Sequence, residues 1–199
     1  NANQKIRSLY KDHLGNIWVG CYTGVDCIDF NTGKLNAMSM RGKVTGYDKT
    51  LWSSLQELPN HNYQCIVEDK SNTLWLASLN GIFRHDRTSN TFQYIDLSQY
   101  AKHSLVTCIL SDTTNNLWVA TEGGGIVRLT ENASSKEWEV SSYYHFENGN
   151  SNSLPDDRIY SIQEDATGYI WIGTPNGLCR IHPTSKSVTT YNQEDGISD

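Results

Sequence analysis

The sequence predicts an all-β fold: a β-propeller segment of four blades, each a four-stranded antiparallel sheet, forming an open part of a larger ring of about seven blades. Three observations carry this. One motif recurs four times along the 199 residues. Short β-rich runs alternate with turn residues around every copy. No stretch of useful length has helical periodicity, apart from a helical turn expected within Thr50–Leu58.

The motif is anchored on Asp and Trp six residues apart: Asp12 and Trp18, Asp69 and Trp75, Asp112 and Trp118, Asp165 and Trp171. The tryptophans follow one another at 57, 43 and 53 residues. A glycine follows Trp by six positions at Gly24, Gly81 and Gly177, and one inserted residue moves it to Gly125 in the third copy. Ten residues before each Trp stands a small side chain, Ser8, Cys65, Cys108 or Ser161. So many matched positions define a repeated unit, with blades expected at 4–46, 60–96, 104–146 and 157–193.

Each element has a physical reason. Runs such as Ile6–Tyr10 and Ile159–Gln163 read as a first strand, A. The recurring Asp opens a turn, because its carboxylate accepts backbone N–H groups while a following Gly or Asn tolerates positive φ. Strand B carries the Trp and, two residues on, a small partner: Gly20, Ala77, Ala120 or Gly173. Both of its faces are apolar, as in a strand covered on both sides. The recurring glycine closes the B–C turn, and strands C and D follow. All four tryptophans are expected in equivalent buried sites between blades. Arg84, Arg128 and Arg180 share one register and are expected to lay their stems between blades.

Composition narrows the function classes. The formal net charge is −6 and the Lys and Arg residues form no cluster, so neither nucleic acid nor an anionic membrane surface is an expected partner. No apolar run is long enough to span a bilayer. The five cysteines have no metal-type spacing, and reduced thiols are expected, with Cys21 and Cys27 the one pair close enough in sequence to bridge. The recurring Asp residues lack the further oxygen donors that calcium needs. Glu68-Asp69 and Glu164-Asp165 point to opposite strand faces, which excludes an acid/base pair. No metal, cofactor or catalytic residue is predicted.

In a four-stranded meander the B–C and D–A connections share one end. The D–A connections are long and dissimilar, about 36–62, 95–104 and 145–157, and long variable loops on a rigid scaffold are where binding resides. Candidate ligand-binding residues at that end are Tyr22, Tyr47, Trp52, Asn80, His103, Glu122 and Asn176, with His61 and Tyr100 beside them. Aromatic rings with amides and carboxylates suit an oligosaccharide.

The fourth copy, Ile-x-x-Ile-x-Glu-Asp-x-x-Gly-x-Ile-Trp-Ile-Gly-Thr-x-x-Gly-Leu over Ile159–Leu178, resembles the repeat of the periplasmic propeller region in bacterial hybrid two-component sensor histidine kinases. The lead-in Asn152–Ile159 resembles the stretch that precedes such repeats. The other units depart modestly: Cys21 stands in place of Thr, and Asn72 and Asn115 in place of the turn Gly. The resemblance implies a non-catalytic, extracytoplasmic ligand-sensing propeller whose partners are an oligosaccharide and further blades of the same chain. The alternatives are a protein-interaction scaffold and, less favoured, a propeller lyase or glycosidase. An open arc leaves the flanking blades uncovered, so Ile17, Val19, Ile170 and Ile172 are expected to be exposed and a homodimer could cover them.

Overall fold

A computed structural model describes residues 5–22, 24–37, 43–45, 62–89, 91–101 and 104–197. Among them the chain forms two compact units, 1–98 and 99–199, each holding two sheets. In the first unit, β1 (Ile6–Lys11), β2 (Ile17–Cys21), β3 (Val25–Ile28) and β4 (Leu35–Ala37) make one antiparallel meander. The strand β5 (Lys43–Thr45) then joins the second sheet, whose meander is β6 (Ile66–Glu68), β7 (Leu74–Ala77), β8 (Gly81–Asp86) and β9 (Thr91–Asp96). In the second unit, β10 (Val106–Ser111), β11 (Leu117–Thr121), β12 (Ile126–Glu131) and β13 (Trp138–Tyr144) form the third sheet. The fourth is β14 (Ser161–Glu164), β15 (Ile170–Thr174), β16 (Gly177–Ile181) and β17 (Val188–Tyr191).

The fold is the expected β-propeller architecture of four antiparallel blades. One difference stands out. Lys43–Thr45 lies within a stretch read from sequence as a connection, yet it pairs in parallel with Thr91–Gln93 and gives the second sheet a fifth strand. A three-residue segment on a sheet edge shows too little alternation to be seen in sequence. The helical turn expected at Thr50–Leu58 lies outside the described residues.

The A–B turn is the same object four times. Each Asp backbone carbonyl accepts the N–H three residues on, and each Asp N–H donates to the carbonyl four residues on. The residue at the third position adopts positive φ: Gly15, Asn72, Asn115 and Gly168. Gly and Asn are the residue types that tolerate this conformation. One carboxylate oxygen accepts two backbone N–H groups of the turn. The other accepts the indole Nε1–H of the Trp six residues on, at 2.9, 2.8, 2.9 and 2.7 Å. The spacing of six is therefore a clamp: the carboxylate fixes the turn and satisfies the one polar atom of a ring that must be buried.

Packing within each unit follows one rule. The Trp18 face of the first sheet meets Ile66, Leu74, Leu76, Phe83 and Phe92 of the second. The Trp118 face of the third sheet meets Ile159, Ile170, Ile172, Cys179 and Ile181 of the fourth. Trp18, Trp75 and Trp118 are at most 1% exposed, whereas Trp171 is only partly buried. The expectation for Ile170 and Ile172 is corrected: both are fully buried against the third sheet, and Val19 is buried too. Strand alternation explains this, because Ile170 and Ile172 point away from the face that bears Trp171. The apolar side chain most exposed on the first sheet is instead Leu9, which pairs with Val19.

Arg84, Arg128 and Arg180 place their guanidinium groups 6.0, 5.2 and 5.7 Å from the centroids of Trp75, Trp118 and Trp171. They add cation–π attraction to the stem packing foreseen from sequence. All five cysteines are free thiols.

Candidate functional site

Of the sequence-predicted ligand residues, Tyr47, Trp52 and His103, with His61, lie outside the described residues. Tyr22, Asn80, Glu122 and Asn176 all stand on B–C turns, the end expected to bind. Tyr22 is exposed, and its carbonyl accepts the N–H of Asn62 at the start of the second blade. Asn80 has φ 59° and its carbonyl accepts the Leu97 N–H. The side-chain oxygens of Asn62 and Asn80 are buried without a hydrogen-bond partner among the described residues. A buried amide oxygen in that state is open to water or to a polar ligand.

The second unit builds a more complete site. Its core is Asp156, which sequence reasoning passed over as part of a lead-in. The Asp156 carboxylate accepts Nε and Nη2 of Arg158 at 3.1 and 2.9 Å, the Arg158 N–H at 2.8 Å, and Nδ2 of Asn176 at 3.0 Å. The Arg158 guanidinium holds this carboxyl below its usual range. Asn176 also donates to the Pro155 carbonyl. One carboxylate thus fixes the orientation of a guanidinium and an amide drawn from two different connections. Tyr160, two residues after Arg158, is 62% exposed, and the Glu122 N–H donates to the Leu105 carbonyl. Asn176 borders a cleft of about 660 Å³ lined by Thr174, Pro175, Leu178, Asn192 and Glu194.

This geometry suits recognition. Asp156 is occupied on both oxygens and has no free lone pair aimed outward to serve as a base. Arg158 Nη1 and the Asn176 carbonyl oxygen remain as a directed donor and acceptor next to an exposed aromatic face. Among the described residues, no group of three or more His, Cys, Asp or Glu could hold a metal ion. A second cleft, about 490 Å³, lies at the opposite end of the first unit between A–B and C–D turns, lined by His13, Ser71, Thr73, Arg84 and Gln93. Among the described residues, concave polar surfaces therefore occur at both ends of the blades.

The fold is a β-propeller whose B–C and D–A connections carry polar side chains. Comparison with known proteins is more specific. Residues 2–23, 57–80 and 153–176 match the family described as two component regulator propeller. The matched segments take in the Asp–Trp motif of the first, second and fourth copies. A search of curated proteins by sequence gave no match. Among solved structures, the chain is similar to the extracellular domain of a hybrid two component system from B. thetaiotaomicron, at 24% identity and TM-score 0.68, covering 98% of this chain and 24% of that one. It is similar also to the extracellular domain of a one component system from the same organism, at 23% identity and TM-score 0.69, covering 98% and 26%. A catalytically inactive virginiamycin B lyase from Staphylococcus aureus, solved with quinupristin, matches at 18% identity and TM-score 0.68, covering 96% and 57%. The chain spans about a quarter of the length of these two extracellular domains. No helix among the described residues is long and apolar enough to cross a membrane.

Proposed function

We propose that this chain is the ligand-sensing propeller segment of an extracytoplasmic, periplasmic sensor of the two-component class, that it binds an oligosaccharide without catalysis, and that its four blades form an open part of a larger ring. The observation that carries the reading is the repeat family itself, matched at three places along the chain. The rim supports the ligand class: a fixed guanidinium, an amide and an exposed tyrosine offer the directed hydrogen bonds and ring face that a sugar uses. Asp156, saturated by its own partners, supports binding over turnover. The propeller lyase shares the fold at 18% identity, and its chemistry does not transfer on that likeness.

The test is calorimetric titration of the chain with a panel of oligosaccharides released from plant and host polysaccharides, with chromatographic analysis of the glycans afterwards. The reading expects one saturable isotherm, intact glycan, and loss of binding in Arg158→Ala and Tyr160→Ala with unfolding midpoints unchanged. Glycan cleavage, or a panel without any binder alongside saturable binding to a protein partner, contradicts it.

A further inference from the structure

The Asp–Trp clamp leaves one recurring feature unused: the Glu immediately before Asp in the second and fourth copies. Glu68 and Glu164 each reach back to the A–B turn of the preceding sheet. Glu68 accepts the backbone N–H of His13 at 2.8 Å and faces His13 Nδ1 at 2.6 Å, while Arg87 Nη2 donates to it at 2.6 Å. Glu164 accepts the backbone N–H of Thr113 at 2.8 Å and its hydroxyl at 2.6 Å. His13 and Thr113 occupy one position, directly after the clamping Asp. The Asp carboxylate takes the turn N–H groups two and four residues on, so the N–H at this position is left for the neighbouring blade. The same two junctions share further contacts. The Tyr63 and Ile159 N–H groups donate to the Cys21 and Thr121 carbonyls. Hydroxyls of Ser8 and Thr107 donate to the Tyr63 and Ile159 carbonyls.

The fourth sheet presents the receiving half of this junction. Ala166 follows Asp165 and is exposed, and Ser161 is exposed. Trp171 is clamped like the others yet only partly buried. A Cβ on Gly20 would run into the Tyr63 carbonyl of the next blade, whereas a Cβ on Gly173 would meet only Ser161 of its own sheet. The supplying half on the first sheet does not match. Where Glu68 and Glu164 stand, the first sheet carries Lys11. An ammonium cannot accept the Ala166 N–H, so a second copy of the chain docked by its first sheet leaves that junction incomplete.

We propose that the Trp171 face of the fourth sheet is the docking surface for one further propeller repeat, following in the same polypeptide, whose first strand carries Glu immediately before its Asp, and that this carboxylate specifies the junction by capping the Ala166 N–H. The inference is independent of ligand identity. It goes beyond the proposed function by stating which repeat fits and through which group. The carboxylate does at the junction what a capping side chain does at a helix start: it satisfies an N–H that burial would otherwise orphan.

The test appends a copy of residues 60–98, which carries Glu68, after residue 199 of the chain. Hydrogen exchange is followed on peptides spanning 165–172, which occur once in the extended protein. The expected result is that Ala166 exchange slows by about tenfold or more and that Glu68→Ala in the appended copy alone reverses it. Equal protection with and without that carboxylate overturns the proposal. As a second measurement in the unextended chain, Glu164→Ala should speed Thr113 amide exchange by a similar factor while the far-ultraviolet spectrum stays native. An unchanged Thr113 amide overturns the proposal whether or not the appended repeat folds.

Discussion

Replacing Asp112 by Ala removes the acceptor of the Trp118 indole N–H at 2.9 Å and of the Thr114 and Asn116 N–H groups at 2.9 and 2.8 Å. Trp118 is fully buried, so its N–H is left without water as well as without a partner. A buried donor stranded in this way costs about 1–3 kcal/mol. The two turn N–H groups lie nearer solvent and recover part of their loss from water, adding roughly 1 kcal/mol. The variant should therefore lose about 3 kcal/mol, a fall of roughly 1.5 M in the urea midpoint of its cooperative transition for a slope near 2 kcal/mol/M. Trp118→Phe keeps most of the ring and deletes the N–H. In a double-mutant cycle the two substitutions should couple by about 1–2 kcal/mol, because the second has no hydrogen bond left to break. A loss under about 0.5 kcal/mol for Asp112→Ala, or strict additivity in the cycle, refutes the clamp as a stabilising device.

Three further outcomes follow from the same structure. Burial pushes the Asp12 carboxyl up, but hydrogen bonds from Trp18, Arg87 and Asn16 outweigh it and bring it down to about 2, and Asp112 and Asp165 are lowered as well. Folded values below the unfolded value near 4 mean that the stability these groups supply is present above about pH 4 and is lost as pH falls toward 2; a urea midpoint constant from pH 5 to pH 2.5 contradicts this. Gly125 has φ 69° and a Cβ there would run into the Tyr144 carbonyl, so Gly125→Ala should destabilise the second unit by about 2 kcal/mol or more, and a neutral result in urea unfolding disproves the close approach. Burial pushes the Cys179 thiol up to about 12 and Cys27 up to about 11, so native protein should leave these two unmodified by a thiol reagent at pH 8 while unfolded protein titrates five; rapid native modification of Cys179 would show the junction to be open.

The fold was legible because its signals are local. Asp to Trp at six, Gly or Asn at the positive-φ position and the closing glycine all lie within one hairpin, and each has a steric or hydrogen-bonding reason. What the sequence hid depends on partners far along the chain. Glu68 and Glu164 end their strands directly before the clamping Asp, and their acceptor role is visible only when residues 55 and 51 positions earlier come alongside. Trp171 looks like its three equivalents in sequence, and its partial exposure reflects what covers its sheet face, which no motif encodes. The candidate site was half legible. Asn176 was named from its turn position, but Asp156 and Arg158 were not, since a Pro-Asp-Asp-Arg run reads as an ordinary polar connection. The signal available was two carboxylates flanking an arginine on a connection already picked as the binding end.

The central claim is that ligand is held at the B–C and D–A end of the blades. Hydrogen–deuterium exchange of the chain with and without a saturating oligosaccharide from the titration panel tests it most directly. Ligand held there slows exchange in peptides containing Glu122, Asp156–Tyr160 and Asn176 and leaves the A–B turns at 13–16, 113–116 and 166–169 unchanged. Protection confined to those A–B turns, or to the cleft between His13 and Arg84, would place the ligand at the other end and contradict the account.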